Sequence, residues 1–482
     1  MRVHLVGVSG TGMGALAALL VEAGHEVSGS DVAFDPPIGP ALQALGVRCT
    51  QGYAASHLDD RPDLVVVGNA IRRENPEAVA AERLGLTRVS MSGALREHFL
   101  AKRRPLVVAG THGKTTTSAM CAWLLSRAGQ DPGWFIGGIP KGLDRGAAIG
   151  STRVRPGVGR APFVVEGDEY DAVFWHKQPK FLDYIGVGPD DVAIITSIEL
   201  DHVDIYPDVA SYEAAFRAFV RAVPEQGLLV CDARDARVRA IVSEDVRGAR
   251  VAWYALERDD TGEVTPTWLG APATVTPDGA QQFDLYVGGM SCGRYALRVP
   301  GLHNVRNAVA ALAACAEGMG VSVTDARAYL ASFEGVRRRQ DLLGEPDGVR
   351  VYDDFAHHPT AVYETLRALR SRHTQGRLWV AFEPRSATAC RALHQEAYAG
   401  AFDAADRVLL APLGRTNIPE GERLDLGKLA AALGDKARVM AGVEAIVGVV
   451  VAEAKPGDTV ALFSNGAFGG LHGKLMAALA AR

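Results

Sequence analysis

Apolar positions in the first hundred residues fall into short runs separated by stretches whose apolar side chains recur at helical spacing. Val3–Val8, Glu26–Gly29, Leu64–Val67 and Thr87–Ser90 read as strands, and Met13–Ala23 and Ile38–Leu45 as helices. Such alternation predicts a parallel sheet with crossover helices. The charged break Lys102-Arg103-Arg104-Pro105 closes this region. Beyond it, Leu106–Ala109 is an apolar strand that leads through a glycine turn into a helical stretch, Thr117–Ala128. Phe163–Val165, Val192–Thr196 and Leu228–Cys231 read as further buried strands. A Gly/Arg-rich stretch, 142–159, reads as a mobile loop between them. From Val264 to Val299 short β-rich pieces alternate with Gly and Pro, which predicts an antiparallel excursion, and an Ala-rich helix follows from about Asn304 to Gly318. The α/β alternation then restarts with Val349–Tyr352, Leu378–Phe382, Val408–Leu410 and Thr459–Phe463. The pattern predicts an α/β protein of three consecutive domains, 1–103, 104–334 and 335–482.

Composition narrows the class. The 482 residues are 48% apolar and 22% charged, as in globular proteins, and exceed what one core accommodates. A net charge of −5 gives no electrostatic reason for a nucleic-acid or anionic-membrane partner. No apolar run approaches the roughly 20 residues of a membrane span. Arg2 leads straight into a strand-like run, so no leader is expected, and the cytoplasm is the expected location. Six dispersed cysteines without a C-x-x-C pair read as reduced thiols.

Several clusters carry chemistry. Gly110-Thr111-His112-Gly113-Lys114-Thr115-Thr116 follows a strand and opens a helix, the setting of a phosphate-binding loop. The general pattern places its first glycine where Val108 stands, so this loop is a variant. Lys114 would neutralise phosphate charge, and the Thr115 hydroxyl would reach Mg²⁺. Glu166-Gly167-Asp168-Glu169-Tyr170-Asp171 concentrates carboxylates at a strand end, either as a cation site or as a solvated turn. Glu199-Leu200-Asp201-His202 repeats that placement after another strand; His202 is either a metal ligand or structural. Asn304 and Asn307 lie one helical turn apart, as a base contact or, on local grounds, a cap. Arg337-Arg338-Arg339 and Tyr352-Asp353-Asp354-Phe355-Ala356-His357-His358-Pro359-Thr360 flank the second boundary, either closing over a triphosphate or forming a solvated face. Near the N-terminus, Gly10-x-Gly12-x-x-Ala15, with Asp31 about 20 residues on, fits a dinucleotide fingerprint. That fingerprint specifies only a diphosphate at a helix start and a ribose hydroxyl near an acid; NAD and a UDP-sugar both satisfy it.

In this order and spacing, the G-T-x-G-K-T-T, E-x-D-E, D-H-x-D, H-N-x-x-N, R-R and D-D-x-x-H-H-P segments resemble the Mur ligase family of ATP-dependent amide-forming enzymes. The match spans nearly the whole chain. The resemblance implies a Rossmann-like UDP-binding domain, a central P-loop domain and a Rossmann-like C-terminal domain. It implies ATP and Mg²⁺ as cofactors, with Thr115, Glu166 and His202 as metal ligands. ATP would be held by residues 110–116, Asn304, Asn307 and Asp354, and Arg339 would reach the phosphates. The catalytic set would be Lys114, Glu166, His202 and Arg339. Gly7, Ser9, Gly10, Gly12, Met13, Asp31 and Asn69 would hold UDP-N-acetylmuramate rather than NAD. His358 and Arg385 are candidates for the incoming amine substrate. Glu166–Asp171, Phe382-Glu383-Pro384-Arg385-Ser386-Ala387-Thr388 and Ser464–Gly470 resemble the branch that adds L-alanyl-γ-D-glutamyl-meso-diaminopimelate in cell-wall recycling; the alternative is the L-alanine-adding branch. Several relatives carry a carbamylated lysine in a Y-x-A-A-K pattern. Here Phe216 stands at that position, so no such modification is expected. Two readings of other classes are a P-loop nucleotide switch and an NAD-dependent dehydrogenase.

Overall fold

The computed structural model describes residues 1–152, 159–276, 279–415 and 417–482. The N-terminal sheet comprises β1 (Arg2–Val6), β2 (Glu26–Asp31), β3 (Arg48–Gln51), β4 (Leu64–Val67) and β5 (Arg88–Ser90). Its order is β3-β2-β1-β4-β5, and all pairs are parallel. Strand order reverses at β1, so the loops after β1, β2 and β4 meet at one edge, where a doubly wound sheet binds its ligand. The glycine loop and Asn69 lie on these loops, and Asp31 ends β2.

The central sheet comprises β6 (Arg104–Ala109), β7 (Gly133–Phe135), β8 (Ala147–Ala148), β9 (Pro162–Glu166), β12 (Val192–Ile195), β13 (Leu228–Asp232), β14 (Arg250–Leu256), β15 (Trp268–Val275), β16 (Gln281–Val287) and β17 (Met290–Leu297), with a separate hairpin, β10 (Asp171–Val173) and β11 (His176–Pro179). β6 lies between β12 and β9, parallel to both, and the apolar runs on all three strands are fully buried. Buried on both faces, such strands need no apolar–polar alternation. The three C-terminal ends deliver the P-loop, Glu166 and the Thr196–His202 loop to one place. The expected antiparallel excursion is present as β15–β17. Within the stretch read as a mobile loop, Ala147–Ala148 pairs with β7, a correction for that part; residues 153–158 of the same stretch lie outside the described residues.

The C-terminal sheet comprises β18 (Asp341–Gly344), β19 (Arg350–Asp354), β20 (Leu378–Phe382), β21 (Arg407–Leu410), β22 (Ala437–Val439) and β23 (Thr459–Phe463). Its order is β18-β19-β23-β20-β21-β22, parallel except for β18. Asp354 ends β19, and the segments after β20 and β23 carry Arg385 and Ser464. One apolar cluster runs from Leu16, Met91 and Phe99 to Phe135 and Phe181, joining the first domain to the second. Phe216 belongs to this cluster, its ring 5.4 Å from Phe181 and 5.2 Å from Tyr212.

Candidate active site

β6 runs into the turn at Gly110–Gly113, and the helix Lys114–Arg127 follows at once. Gly113 is its N-cap with φ +80°, and Gly110 has φ +125°. Side chains disfavour both values. A Cβ at Gly110 would also overlap Thr196 Oγ1, and one at Gly113 would overlap Asn307 Oδ1. The turn is therefore tightly cradled. The first-turn N–H groups have no intrahelical acceptor, and the helix dipole adds positive potential there. An anionic phosphate fits this cradle.

Thr115 is the meeting point. Its Oγ1 donates to Glu166 Oε1 at 2.8 Å and accepts from Arg339 Nη2 at 3.1 Å. Glu166 Oε2 accepts the Gly137 N–H at 2.7 Å. A hydroxyl and a carboxylate held together at the helix start suit Mg²⁺, which prefers oxygen ligands. Lys114 Nζ donates to Gly110 O at 2.6 Å and to Glu169 Oε1 at 2.7 Å. Burial works against the Lys114 charge, but Glu169 outweighs it and holds the ammonium above its ordinary value. His202 approaches from the other side. Its Nε2 lies 3.8 Å from Glu169 Oε2 and its ring 4.3 Å from that of Tyr170. Thus Thr115, Glu166 and Arg339 touch directly, while His202 joins them through Glu169 and Lys114.

Asn304 and Asn307 are buried within the helix Leu302–Ala313, whose N-cap is Gly301. The cap reading is thereby corrected: the helix starts two residues earlier, leaving both side chains in its interior. Asn304 Nδ2 donates to Pro300 O at 2.7 Å, and Asn307 Nδ2 to Asn304 Oδ1 at 3.3 Å. Asn307 Oδ1 packs against Gly113 of the P-loop. Asp354 is buried and accepts the Gln340 N–H and the Ala356 N–H, each at 2.7 Å. Burial raises its carboxyl to about 6 despite Arg339 and these two donors.

Glu199 is the hub between the second and third domains. His112 Nε2 lies 2.7 Å from its Oε2, and Thr360 Oγ1 donates to both carboxylate oxygens at 2.9 Å. Burial opposes its charge, but the His112 and Thr360 hydrogen bonds and the adjacent His358 prevail and hold the carboxyl below its ordinary value. His358 caps the helix Pro359–Arg372, its Nδ1 accepting the Thr360 N–H at 3.3 Å. Burial, then His112, keeps this imidazole neutral well below its ordinary titration range. Arg385 is not drawn into this group; it packs against Gly414 and Gly466, and its nearest acidic partner among the described residues is Glu383 at 4.0 Å.

The N-terminal loop forms a second centre. Asp31 Oδ2 accepts the Ser9 N–H at 2.8 Å, and Asp31 Oδ1 accepts from Val32 N at 2.7 Å and Tyr53 OH at 3.3 Å. Gly7 has φ +86°, Met13 is buried, and Asn69 is exposed beyond β4. A Cβ on Gly12 would crowd Met91 Sδ at 2.8 Å and come within 3.9 Å of Phe135, so this loop faces the central domain. Glu169, Glu199 and Thr360 carry no assigned role in the motif reading, and Gln340 lies outside its segments. The first two lie in the recognised acidic segments. Thr360 follows the His-Pro pair that opens its helix, a capping signal visible in the sequence.

Three Mur ligase descriptions match the chain: Mur ligase family, catalytic domain, at residues 2–103; Mur ligase middle domain, at 175–315; and Mur ligase, glutamate ligase domain, at 338–466. The UDP-N-acetylmuramate–L-alanyl-γ-D-glutamyl-meso-2,6-diaminoheptandioate ligase of Escherichia coli (strain K12) is 37% identical over 481 residues, covering 100% of this chain and 98% of that protein. The UDP-N-acetylmuramate–L-alanine ligase of Roseiflexus sp. (strain RS-1) is 36% identical, covering 97% of this chain and 96% of that protein. The solved murein peptide ligase of Psychrobacter arcticus superposes with a TM-score of 0.73 at 33% identity, covering 100% of this chain and 99% of that one.

Proposed function

The chain belongs to the Mur ligase family, and we propose that it joins the carboxylate of UDP-N-acetylmuramate to the amine of L-alanyl-γ-D-glutamyl-meso-diaminopimelate, converting ATP to ADP and phosphate. The observation that carries this reading is the shared hydrogen bonding of Thr115, Glu166 and Arg339, which brings the domain junction onto the phosphate loop. The full-length similarity to a ligase named for that peptide supports the acceptor. We take 1–103 as the UDP-sugar domain, 104–334 as the ATP domain and 335–482 as the acceptor domain, and the cytoplasm as the place of action. No helix among the described residues is long and apolar enough to cross a membrane.

In this reading the sugar carboxylate attacks the γ-phosphate of ATP, giving an acyl phosphate and ADP. The peptide amine then attacks the acyl carbon and phosphate leaves. Two anions must approach in the first step. Lys114 and Arg339 offset that repulsion, and the P-loop N–H groups orient the phosphates. Lys114 exchanges Glu169 for phosphate as ATP enters. Mg²⁺, held by Thr115, Glu166 and His202, would supply further charge neutralisation. Asn304, Asn307 and Asp354 are assigned to the nucleoside half, and closure of the third domain keeps water from the acyl phosphate. Gly7, Ser9, Gly10, Gly12, Met13, Asp31 and Asn69 hold the UDP half. His358 and Arg385 are assigned to the acceptor, from separate parts of the third domain.

The test is an ATP-dependent ligation assay on UDP-N-acetylmuramate, offering the tripeptide and L-alanine in parallel. Tripeptide ligation that is lost in Lys114→Ala is expected. A preference for L-alanine transfers the chain to the other branch, to which a relative of almost equal identity belongs. ATP hydrolysis indifferent to any acceptor sinks the ligase reading.

A further inference from the structure

We propose that His112, Glu199 and His358 form a binding site for a transition-metal cation of the Zn²⁺ type, built from none of the residues assigned to Mg²⁺. One donor atom from each of the three lies within 4.8 Å of the other two. They come from three separate segments: the P-loop, the loop after β12, and the N-cap of the helix Pro359–Arg372. His112 Nε2 stands 2.7 Å from Glu199 Oε2, and His358 Nδ1 stands 3.9 Å from the same oxygen. The two imidazole rings lie 4.7 Å apart.

Two further observations point beyond an ordinary ion pair. His358 is 4% exposed, and its Nε2 is buried without a hydrogen-bond partner among the described residues. His394 packs its ring 4.5 Å from that of His358, and its Nε2 is likewise buried without a partner among them. His358 Nδ1, the nitrogen nearest Glu199, also accepts the Thr360 N–H, so a cation bound there would displace that hydrogen bond. Two imidazoles and one carboxylate make a donor set poor for Mg²⁺, which favours oxygen, and good for Zn²⁺. The oxygen-rich pair at Thr115 and Glu166 has the opposite preference. The two centres therefore sort two cations by ligand type.

A bound ion would tie the phosphate loop to the third domain. Alternation between open and closed arrangements would then be blocked, and His358 would be withdrawn from the acceptor. Zn²⁺ should accordingly inhibit ligation even at saturating Mg²⁺. The site itself does not depend on the ligase reading; the inhibition does.

The experiment titrates chelator-treated full-length protein, free of nucleotide, with Zn²⁺ against a chromogenic chelator in millimolar Mg²⁺. Co²⁺ is then substituted and its visible absorption recorded. One equivalent should bind tightly, with Co²⁺ bands of low coordination number. Glu199→Gln, His112→Ala and His358→Ala should each weaken binding by about tenfold or more. Circular dichroism and thermal unfolding identify which variants remain folded, and the comparison is made on those. Absence of stoichiometric binding, or equal affinity in a folded variant, overturns the site. Ligation that persists while Zn²⁺ fails to bind overturns this proposal alone. Zn²⁺ binding without ligation overturns the ligase reading alone.

Discussion

Asp354 is a carboxylate placed where its charge is poorly supported. It is 4% exposed, and the Gln340 and Ala356 N–H groups do not offset its desolvation. Its carboxyl is raised to about 6 against an ordinary 3.8. The folded protein therefore holds this proton across a range in which the unfolded chain has released it. Stability falls as pH rises from about 4 to about 6, and the deficit persists above that range. Asp354→Asn removes the titration. Relative to the parent, this variant should gain roughly 2 kcal/mol between pH 4.5 and 7.5. Urea unfolding at the two pH values, followed by tryptophan fluorescence, measures the gap; a gap that stays constant contradicts desolvation of Asp354 as its cause. The same variant should bind ATP less well, because a costly charge is retained where a ligand uses it. Glu166 and Glu169 make a related point. They lie three residues apart in one acidic segment, yet the first turns to Thr115 and the second to Lys114. Motif spacing locates both, but only the path of the backbone after β9 divides their partners.

At the scale of the element, the strand–turn–helix at residues 104–127 depends on two glycines. Gly113→Ala places a Cβ on a left-handed residue and against Asn307. The left-handed cost alone is about 1–2 kcal/mol, so the KM for ATP should rise about tenfold or more. The KM for UDP-N-acetylmuramate should stay within about twofold, since that substrate is assigned to another domain. Steady-state kinetics varying each substrate in turn tests this; parallel rises in both would argue against separate centres. Elements of this kind are legible because their strands are buried on both faces, so that apolar runs such as Leu106–Ala109 and Val192–Ile195 mark them in the sequence. The hairpin of Asp171–Val173 with His176–Pro179 is not legible, being short, polar and fixed by its neighbours. Nor is the true start of the helix at Leu302, because Gly301 caps it without a side-chain bond and the two asparagines look like caps. Local capping rules describe side chains at the helix end, whereas Asn304 and Asn307 are buried, the second against Gly113 of the P-loop.

For the whole molecule, the decisive question is what holds the third domain against the second. In the sequence His112, Glu199 and His358 stand in separate motifs with no sign that they converge, because convergence depends on how two sheets are set against each other. The junction is polar. Thr360 bonds Glu199, His357 Nε2 lies 3.9 Å from Asp201 Oδ2, and Arg339 reaches Thr115. Polar junctions of this kind suit domains that must part to release product. The Thr360 bond is the most direct of these links, since a hydroxyl donating to a carboxylate contributes about 1.5–3 kcal/mol. Thr360→Val keeps the shape and the β-branch but removes the donor, and it leaves Glu199 with one fewer partner. The open arrangement should gain at the expense of the closed one, lowering kcat by about tenfold or more. The KM for ATP should move less, because Lys114 and Thr115 keep their own contacts to Glu169 and Glu166. Small-angle scattering should register a larger mean radius of gyration for the variant in the presence of ATP. Thr360→Ser restores the hydroxyl and should recover both kcat and compactness. A Thr360→Val protein with parental kcat and parental scattering would mean that closure rests on the Arg339 and His357 contacts instead.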